Sequence, residues 1–342
     1  MQKAYLILEN GRIFEGESFG AVGTSSGELV FNTCMTGLAE SLTDPCYFGQ
    51  VVIFTFPEIG NYGIAYEDCE SDKCGFSGVV ARNYTKAPSN FRCEISVDDY
   101  LKQQNIIGIC GVDTRELTQI LRDNGTMKAV ITTDKPEEKY FDLKVNAVEA
   151  VSCKEAYTVK AADEKYNVAL MNYGVKKSTV KKLNDAGCTV TVLPYNTAAE
   201  DILNGGYDGV VLSEGPGDPA ENKAEIAEIA KLFGKLPILA RGLGHQMLAL
   251  AAGGNTVKLK FGHRGANQPV KDLKSGRVLV TSQNHGYAVD TECVEKIGAV
   301  QEFVNVNDGS CEGLFYPEKN AVSVQFEHAA AYERFTSMMG GK

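Results

Sequence analysis

Short runs of alternating apolar and polar residues, separated by glycines, fill the first third of the chain. The run AYLILENGRIFEGESFG predicts a β-hairpin around Asn10-Gly11, because this pair favours the left-handed backbone of a tight turn. GELVFNTCMTG and GQVVIFTFPEIGNYG predict further strands. SVDDYLKQQN and VDTRELTQILRDNG predict two helices; Asp113 and Glu116 form a capping box at the start of the second, and Gly125 lies just past its end. We therefore predict a strand-rich N-terminal α/β domain.

From Tyr166 onwards, apolar strands alternate with helices, beginning with NVALMNYG, VKKSTVKKLNDAG and CTVTVLPYNT. This alternation predicts a mainly parallel sheet flanked by helices, with ligands at the carboxyl ends of its strands. Charged residues become more frequent between Lys135 and Lys165, where the sequence has little hydrophobic periodicity. This segment is therefore predicted to be a connector. The predicted organisation is therefore an N-terminal domain, a linker and a second domain, over residues 1–150, 151–165 and 166–342.

The composition is that of an ordinary globular protein, with 44% hydrophobic and 23% charged residues among 342. No apolar run approaches the roughly 20 residues of a membrane helix, and the N-terminus does not resemble a signal peptide, so we expect a cytoplasmic protein that does not enter membranes. The net charge is −10, and the sequence shows no basic stripe that could neutralise the phosphates of a nucleic acid. The 10 cysteines include no C-x-x-C pair, which favours reduced thiols and predicts no metal site.

Three segments at predicted strand ends are candidates for chemistry. In SEGPGDP, Gly215 and Gly217 either present backbone N–H groups to a substrate or form a tight turn that needs positive φ. PILARGLGHQMLALAAGG predicts a strand–turn–helix elbow of the kind that holds a nucleophile, but the residue at its tip is Gly242, which has no side chain. The third segment, AVSVQFEHAA, is a strand that runs into His328.

These and other segments resemble the small subunit of carbamoyl phosphate synthase over essentially the whole chain. FNTCMTGLAESLTDPCYFGQVVIFTFPEIGNYG, GVDTRELTQILRDNG, LSEGPGDP, LGHQ, KFGHRGANQPVKD, TSQNHGYAVD and SVQF occur in that family's order. The resemblance implies a class I glutamine amidotransferase domain, in which a cysteine activated by a histidine attacks the glutamine amide while backbone N–H groups hold the oxyanion. It implies no cofactor in this chain, and ammonia transfer to a large subunit that uses ATP, Mg²⁺ and bicarbonate.

The residues that match the family's catalytic positions are altered here. Gly242 stands where the family has its cysteine. The family continues SVQF with H-P-E, so its histidine and glutamate fall on Glu327 and Ala329. If one inserted residue is allowed, His328 takes the base position and Ala330 that of the glutamate. In both alignments the carboxylate that orients the base is missing, and the loop that follows in the family is shortened.

The glutamine contacts implied by the resemblance are better preserved. They fall on Cys46, Gly215, Gly217, Leu243, Gln246, Asn284, Gly286 and Tyr287. Cys46 replaces a common serine and is equally well explained as a buried thiol. Glu214 replaces a usual asparagine beside the implied oxyanion site, where a carboxylate disfavours negative charge. Arg241 adds a charge before the elbow, and we hypothesise that it pairs with Glu214 or Glu327.

No other residue is expected to replace the missing nucleophile. Cys188, Cys293 and Cys311 lie away from the elbow, and a nucleophile must come within about 3–3.5 Å of its target. His245 is expected to pack in the first turn of its helix. His263 and His285 are expected in loops, without a catalytic role.

The sequence is compatible with three functions. The first is a carbamoyl phosphate synthase small subunit, serving pyrimidine and arginine synthesis, that has lost its glutaminase and supports a large subunit working from free ammonia. The second is a non-catalytic glutamine-sensing or scaffold subunit, with glutamine as its ligand. The third, an intact glutaminase with an unforeseen nucleophile, ranks last because loss of a covalent nucleophile costs several orders of magnitude in rate.

Overall fold

The computed structural model describes residues 2–135 and 146–340. The chain divides into two units, Met1–Val145 and Asn146–Lys342. The connector predicted between Lys135 and Lys165 lies partly outside the described residues. Within the described part of the chain, no helix is both long enough and apolar enough to cross a membrane.

The first unit is built mainly from strands. They are β1 (Lys3–Leu8), β2 (Ile13–Gly20), β3 (Thr24–Asn32), β4 (Gln50–Phe54), β5 (Glu58–Ile59), β6 (Gly78–Val80), β7 (Asn83–Tyr84), β8 (Ile107–Cys110) and β9 (Met127–Thr132). Its helices are α1 (Leu38–Leu42), α2 (Val97–Gln103) and α3 (Thr114–Asn124). The strands close into a barrel in the order β1-β2-β8-β6-β4-β3-β9, while β5 pairs with β7.

Two predictions made from local signals in the first unit are confirmed, the turn at Asn10-Gly11 and the cap at Asp113. β1 and β2 pair in antiparallel register, and Gly11 in their turn has φ of 84°. The Asp113 carboxylate accepts the backbone N–H of Glu116 at 3.0 Å, and α3 ends at Gly125. The Glu116 carboxylate contacts Arg12 at 2.5 Å, so one half of the predicted capping box is observed.

The second unit contains one large sheet with helices on both faces. Its strands are β10 (Tyr157–Val159), β11 (Tyr166–Asn172), β12 (Cys188–Pro194), β13 (Gly209–Leu212), β14 (Ile238–Arg241), β15 (Thr256–Asp272), β16 (Val278–Val289), β17 (Val300–Asn305), β18 (Cys311–Tyr316) and β19 (Ala321–Val324). Its helices are α4 (Ala147–Val151), α5 (Lys177–Asp185), α6 (Ala199–Asn204), α7 (Lys223–Leu232), α8 (Leu243–Ala251) and α9 (Ala329–Met339). The strand order is β10-β12-β11-β13-β14-β19-β18-β16-β15-β17.

The centre of this sheet, β12-β11-β13-β14-β19, is parallel. Alternate residues of β11 enter two different cores: Ala169 and Met171 pack with α6, α7 and α8, while Val168 and Leu170 pack with α5 and α9. Both faces are therefore covered, which explains the nearly continuous apolar runs. The carboxyl ends of β13, β14 and β19 meet at one edge of the sheet, where Glu214, Arg241 and Glu327 follow or end these strands.

Two histidines are placed differently from the prediction. His263 lies on β15 and His285 on β16, which pair in a long antiparallel ladder, so their assignment to loops is wrong. The ladder contains register shifts between Lys258 and His263 and between Gly265 and Gln268. These irregularities and the glycines of KFGHRG and QNHG obscure the period-2 pattern that marks an ordinary strand.

Candidate active site

The elbow between β14 and α8 turns at Gly242. Its backbone has φ of 52° and ψ of −115°, a conformation that side chains rarely tolerate. Its N–H donates to the Val324 carbonyl at 3.0 Å. A Cβ added at Gly242 would lie 3.0 Å from Glu214 Cβ and 3.2 Å from Glu214 Cα. The turn thus has the shape of a nucleophile elbow, but Glu214 crowds the position that a Cβ at residue 242 would take.

Arg241 and Glu214 form a buried ion pair beside the elbow. They are 4% and 5% exposed, and Arg241 NH1 is 3.3 Å from Glu214 Oε2. Arg241 also donates to Thr179 Oγ1 at 2.5 Å, and that hydroxyl donates to Glu214 Oε1 at 2.5 Å. The backbone N–H of Lys176 donates to the same oxygen at 3.1 Å. Burial raises the pKa of the Glu214 carboxyl, but Arg241, Lys176 and the Thr179 hydroxyl outweigh burial and hold it below its ordinary value. Glu214 is therefore ionised at neutral pH.

Glu327 closes the other side of the Arg241 guanidinium. Arg241 NH2 contacts Glu327 Oε2 directly, which confirms the hypothesised pairing, and both carboxylates take part in it. Glu327 Oε1 is 3.0 Å from Lys182 Nζ, and its other oxygen accepts the Tyr332 hydroxyl at 3.4 Å. Thr179, Lys182, Glu214, Arg241 and Glu327, here called the ionic network, join the ends of β13, β14 and β19 to helix α5. Thr179 and Lys182 were not predicted as members of this site, because they lie about 60 residues from Arg241 and carry no motif.

The residues that match the family's base and carboxylate positions contact other side chains or are exposed. Glu327 belongs to the ionic network, and Ala329 and Ala330 are exposed at the start of α9. The His328 ring packs against Phe303 and Phe326, with centroids 5.0 and 5.5 Å away. Burial lowers the pKa of His328 despite the nearby Asp272 carboxylate. The His328 imidazole therefore lies against two aromatic rings, and Gly242 offers it no thiol to activate.

The cysteines weighed as substitute nucleophiles are structural. Cys188 begins β12, Cys311 begins β18, and Cys293 lies in a short 3-10 turn. Burial raises the pKa of the Cys188 thiol to about 11 and that of Cys311 to about 12. A buried protonated thiol is a poor nucleophile. The Cys293 thiol donates to the Asp290 carbonyl at 2.9 Å.

The residues expected to contact glutamine lie on several elements. Gly215 and Gly217 follow β13, and a Cβ on Gly215 would lie 2.3 Å from the Tyr173 carbonyl oxygen and 3.0 Å from Leu243 Cδ2. Gly217 has φ of 94°, so close packing and turn geometry by themselves call for glycine at both positions. Asn284, Gly286 and Tyr287 share β16.

Gln246 and Cys46 have structural partners of their own. The Gln246 amide donates to the Tyr287 carbonyl at 2.7 Å and to Gln325 Oε1 at 2.9 Å. It therefore ties α8 to β16 and to the segment after β19. Cys46 belongs to the first unit, where it is buried in a 3-10 turn and its N–H donates to Asp44 Oδ1 at 2.9 Å.

The other three histidines, His245, His263 and His285, lie in two different environments. His245 is fully buried, with Nδ1 2.8 Å from Ser323 Oγ, and burial lowers its pKa to about 3. It is a neutral core residue.

His263, His285 and Glu312 are also buried and have the only arrangement among the described residues that suits a metal ion. Burial lowers the pKa of His263, but hydrogen bonds to Asp308 and Glu312 outweigh it and raise the pKa to about 9.

Known proteins match both units of the chain. Residues 6–131 match the model of the carbamoyl-phosphate synthase small chain, CPSase domain, and residues 169–328 match class-I glutamine amidotransferase. The carbamoyl phosphate synthase small chain of Clostridium perfringens is 47% identical over 335 residues, or 96% of this chain and 94% of that protein. That of Listeria monocytogenes is 43% identical over an alignment of 358 residues, covering 100% of this chain and 98% of that protein. That of Staphylococcus haemolyticus is 44% identical, covering 96% and 92%.

Proposed function

Because the chain belongs to the family of carbamoyl phosphate synthase small chains and carries a class-I glutamine amidotransferase domain, we propose that it acts as a small subunit whose glutaminase step is lost. Gly242 carries the proposal. Hydrolysis of an unactivated amide by this family's route needs a thiolate at the elbow, and glycine supplies none. Removing such a nucleophile lowers the rate by several orders of magnitude.

The ionic network supports the proposal independently of Gly242. A tetrahedral intermediate develops negative charge on the former amide oxygen, and catalysis depends on donors aimed at that charge. Glu214 is an ionised carboxylate at the residue next to the implied oxyanion site. Its charge would repel the oxyanion, and its partner Arg241 is already bound to both Glu214 and Glu327.

The partner in this proposal is the large subunit of a carbamoyl phosphate synthase. That subunit would bind ATP and Mg²⁺ and form carbamoyl phosphate, for pyrimidine and arginine synthesis, from free ammonia. This chain would need no cofactor for its part. The match of residues 6–131 to the family's own CPSase domain, and not only to an amidotransferase domain, supports a role in that assembly.

A glutamine-sensing subunit is the second candidate. The glycines at 215 and 217 and the segment from Asn284 to Tyr287 favour it, because they match the family's glutamine contacts. The Gln246 amide counts against it, since both of its hydrogen bonds go to Tyr287 and Gln325.

Glutamine hydrolysis and glutamine binding by the purified chain separate these functions. We expect no glutamate release above a protein-free blank and no heat of glutamine binding beyond that of an asparagine control. Binding without turnover would favour the sensor. Glutamate release that survives removal of contaminating glutaminases would contradict both candidates.

A further inference from the structure

His263, His285 and Glu312 converge between neighbouring strands of the second unit. They lie on β15, β16 and β18, and one ligand atom from each lies within 4.8 Å of the other two. His263 Nδ1 is 3.2 Å from His285 Nε2 and 3.4 Å from Glu312 Oε1. Ligand atoms around a tetrahedral zinc ion, with bonds of about 2.0–2.1 Å, stand about 3.3 Å apart. The two separations from His263 Nδ1 therefore suit one such ion, and the third pair, His285 and Glu312, lies within 4.8 Å and would close to about 3.3 Å around it.

The remaining polar atom of each residue is held by an outer partner. His263 Nε2 is 2.8 Å from Asp308 Oδ2, and His285 Nδ1 is 2.8 Å from the Tyr287 carbonyl oxygen. Glu312 Oε2 accepts the Gln283 amide at 2.9 Å. Carboxylates and carbonyls that orient histidines in this way are the usual support of metal-binding imidazoles.

Asn305 Nδ2 lies 3.1 Å from Glu312 Oε1 and 3.4 Å from His263 Nδ1, but a neutral His285 leaves two acceptors facing each other at the centre. The Tyr287 carbonyl can only accept, so His285 Nδ1 carries the proton and a neutral His285 has a lone pair on Nε2. Gln283 Oε1, also an acceptor, faces that lone pair at 2.9 Å. Reversing the Gln283 amide would instead turn its oxygen towards the Glu312 carboxylate. A proton on His263 Nδ1 can serve one of these acceptors but leaves His285 Nε2 and Gln283 Oε1 opposed. A cation satisfies both, as does a second proton on His285.

We propose that His263, His285 and Glu312 bind one divalent zinc ion, with the Gln283 carbonyl oxygen or a water molecule as a further ligand. Two imidazoles and one carboxylate are a donor set that zinc favours. This cluster departs from the sequence-based expectation of no metal site, which considered cysteine spacing and placed both histidines in loops.

The bound ion would fasten three strands together. The register shifts of β15 lie on both sides of His263, and such irregularities redirect side chains. His285 is flanked by Asn284 and Gly286, so the ion would also fix the backbone of this β16 segment. This structural role does not depend on glutaminase activity or on its loss.

Zinc titration of the purified full-length chain tests the proposal. After metal removal, competition with a chromophoric chelator is expected to reveal one zinc ion per chain, and zinc is expected to raise the thermal unfolding midpoint. Glu312→Gln removes one ligand at constant size. Asp308→Asn leaves the three proposed ligands in place and changes an outer partner of His263. The Asp308 side chain is 41% exposed. We expect this substitution to weaken zinc binding by about 10–100-fold. Glu312→Gln is expected to weaken it more.

His328→Ala is the matched control, because it removes a half-buried histidine outside the cluster. It should leave the zinc affinity unchanged, and circular dichroism should show that all variants are folded. Absence of zinc binding by the folded wild-type chain would overturn the proposal. So would equal affinity in wild type, Asp308→Asn and Glu312→Gln, since the zinc would then be bound elsewhere.

Discussion

Replacing Arg241 by alanine is expected to lower the free energy of unfolding by about 3–5 kcal/mol, the range for breaking a buried ion pair by removing one partner. The guanidinium is buried and contacts both Glu214 and Glu327. Without it, the ionised Glu214 loses its buried cationic partner, although the Thr179 hydroxyl and the Lys176 N–H still donate to it. Urea denaturation of wild type and variant at about pH 8 measures the loss.

Lys182→Ala is the matched control for Arg241→Ala. It removes the same formal charge from the ionic network, but the Lys182 side chain is 44% exposed, so the loss should be about 0–1 kcal/mol. The double variant Arg241→Met/Glu214→Gln should be more stable than Arg241→Ala, because no unpaired charge stays buried. If Arg241→Ala proves as mild as Lys182→Ala, the network does not stabilise this site.

The destabilisation by Arg241→Ala should also depend on pH. In the wild type the pKa of Glu214 lies below its ordinary value of 4.5, so the pair's contribution is fully present above that value and is lost as the pH falls through the folded pKa. Arg241 is the first of the groups that lower the pKa of Glu214, so its removal is expected to raise that pKa and to protonate the carboxyl at a higher pH than in the wild type. The difference in unfolding free energy should therefore be smaller at about pH 5 than at about pH 8. A difference independent of pH would contradict this assignment of charge.

Gly242→Cys is expected to restore the thiol without restoring glutaminase activity, and to lower stability by about 1–3 kcal/mol. The positive φ strains any side chain, and the new Cβ would approach Glu214 Cβ at 3.0 Å. Glu327 and His328, the two residues aligned with the family's base, are engaged with Arg241 and with aromatic rings. Glutamate release and urea denaturation measure the two effects.

Gly253→Cys provides the control for backbone strain. Gly253 follows α8 with φ of 92°, and an added Cβ there would meet nothing within 4 Å. Its destabilisation reports the strained backbone alone, so Gly242→Cys should cost more. Substantial glutamine hydrolysis by Gly242→Cys would mean that only the nucleophile is missing and that the surrounding site is intact.

The sequence predicted those parts of the structure that depend on local signals. The Asn10-Gly11 turn, the Asp113 cap and the elbow at Gly242 each follow from a few adjacent residues. The pairing of Arg241 with carboxylates was also foreseeable, because the ends of parallel strands meet at one edge.

Other contacts between distant segments were not foreseeable from one sequence. Thr179 reaches the ionic network because α5 packs against the ends of the central strands, and nothing in VKKSTVKKLNDAG indicates this. The alignment of His263, His285 and Glu312 depends on the register of β15, β16 and β18, which includes bulges. A register is set by the whole sheet and is not read from one strand.

The most direct test of the central claim is carbamoyl phosphate synthesis by this chain together with a family large subunit, supplied in parallel with glutamine and with ammonium. We predict synthesis with ammonium and none with glutamine once free ammonia has been removed. Synthesis from glutamine under those conditions would contradict the loss of the glutaminase step and would require a nucleophile other than the residue at 242.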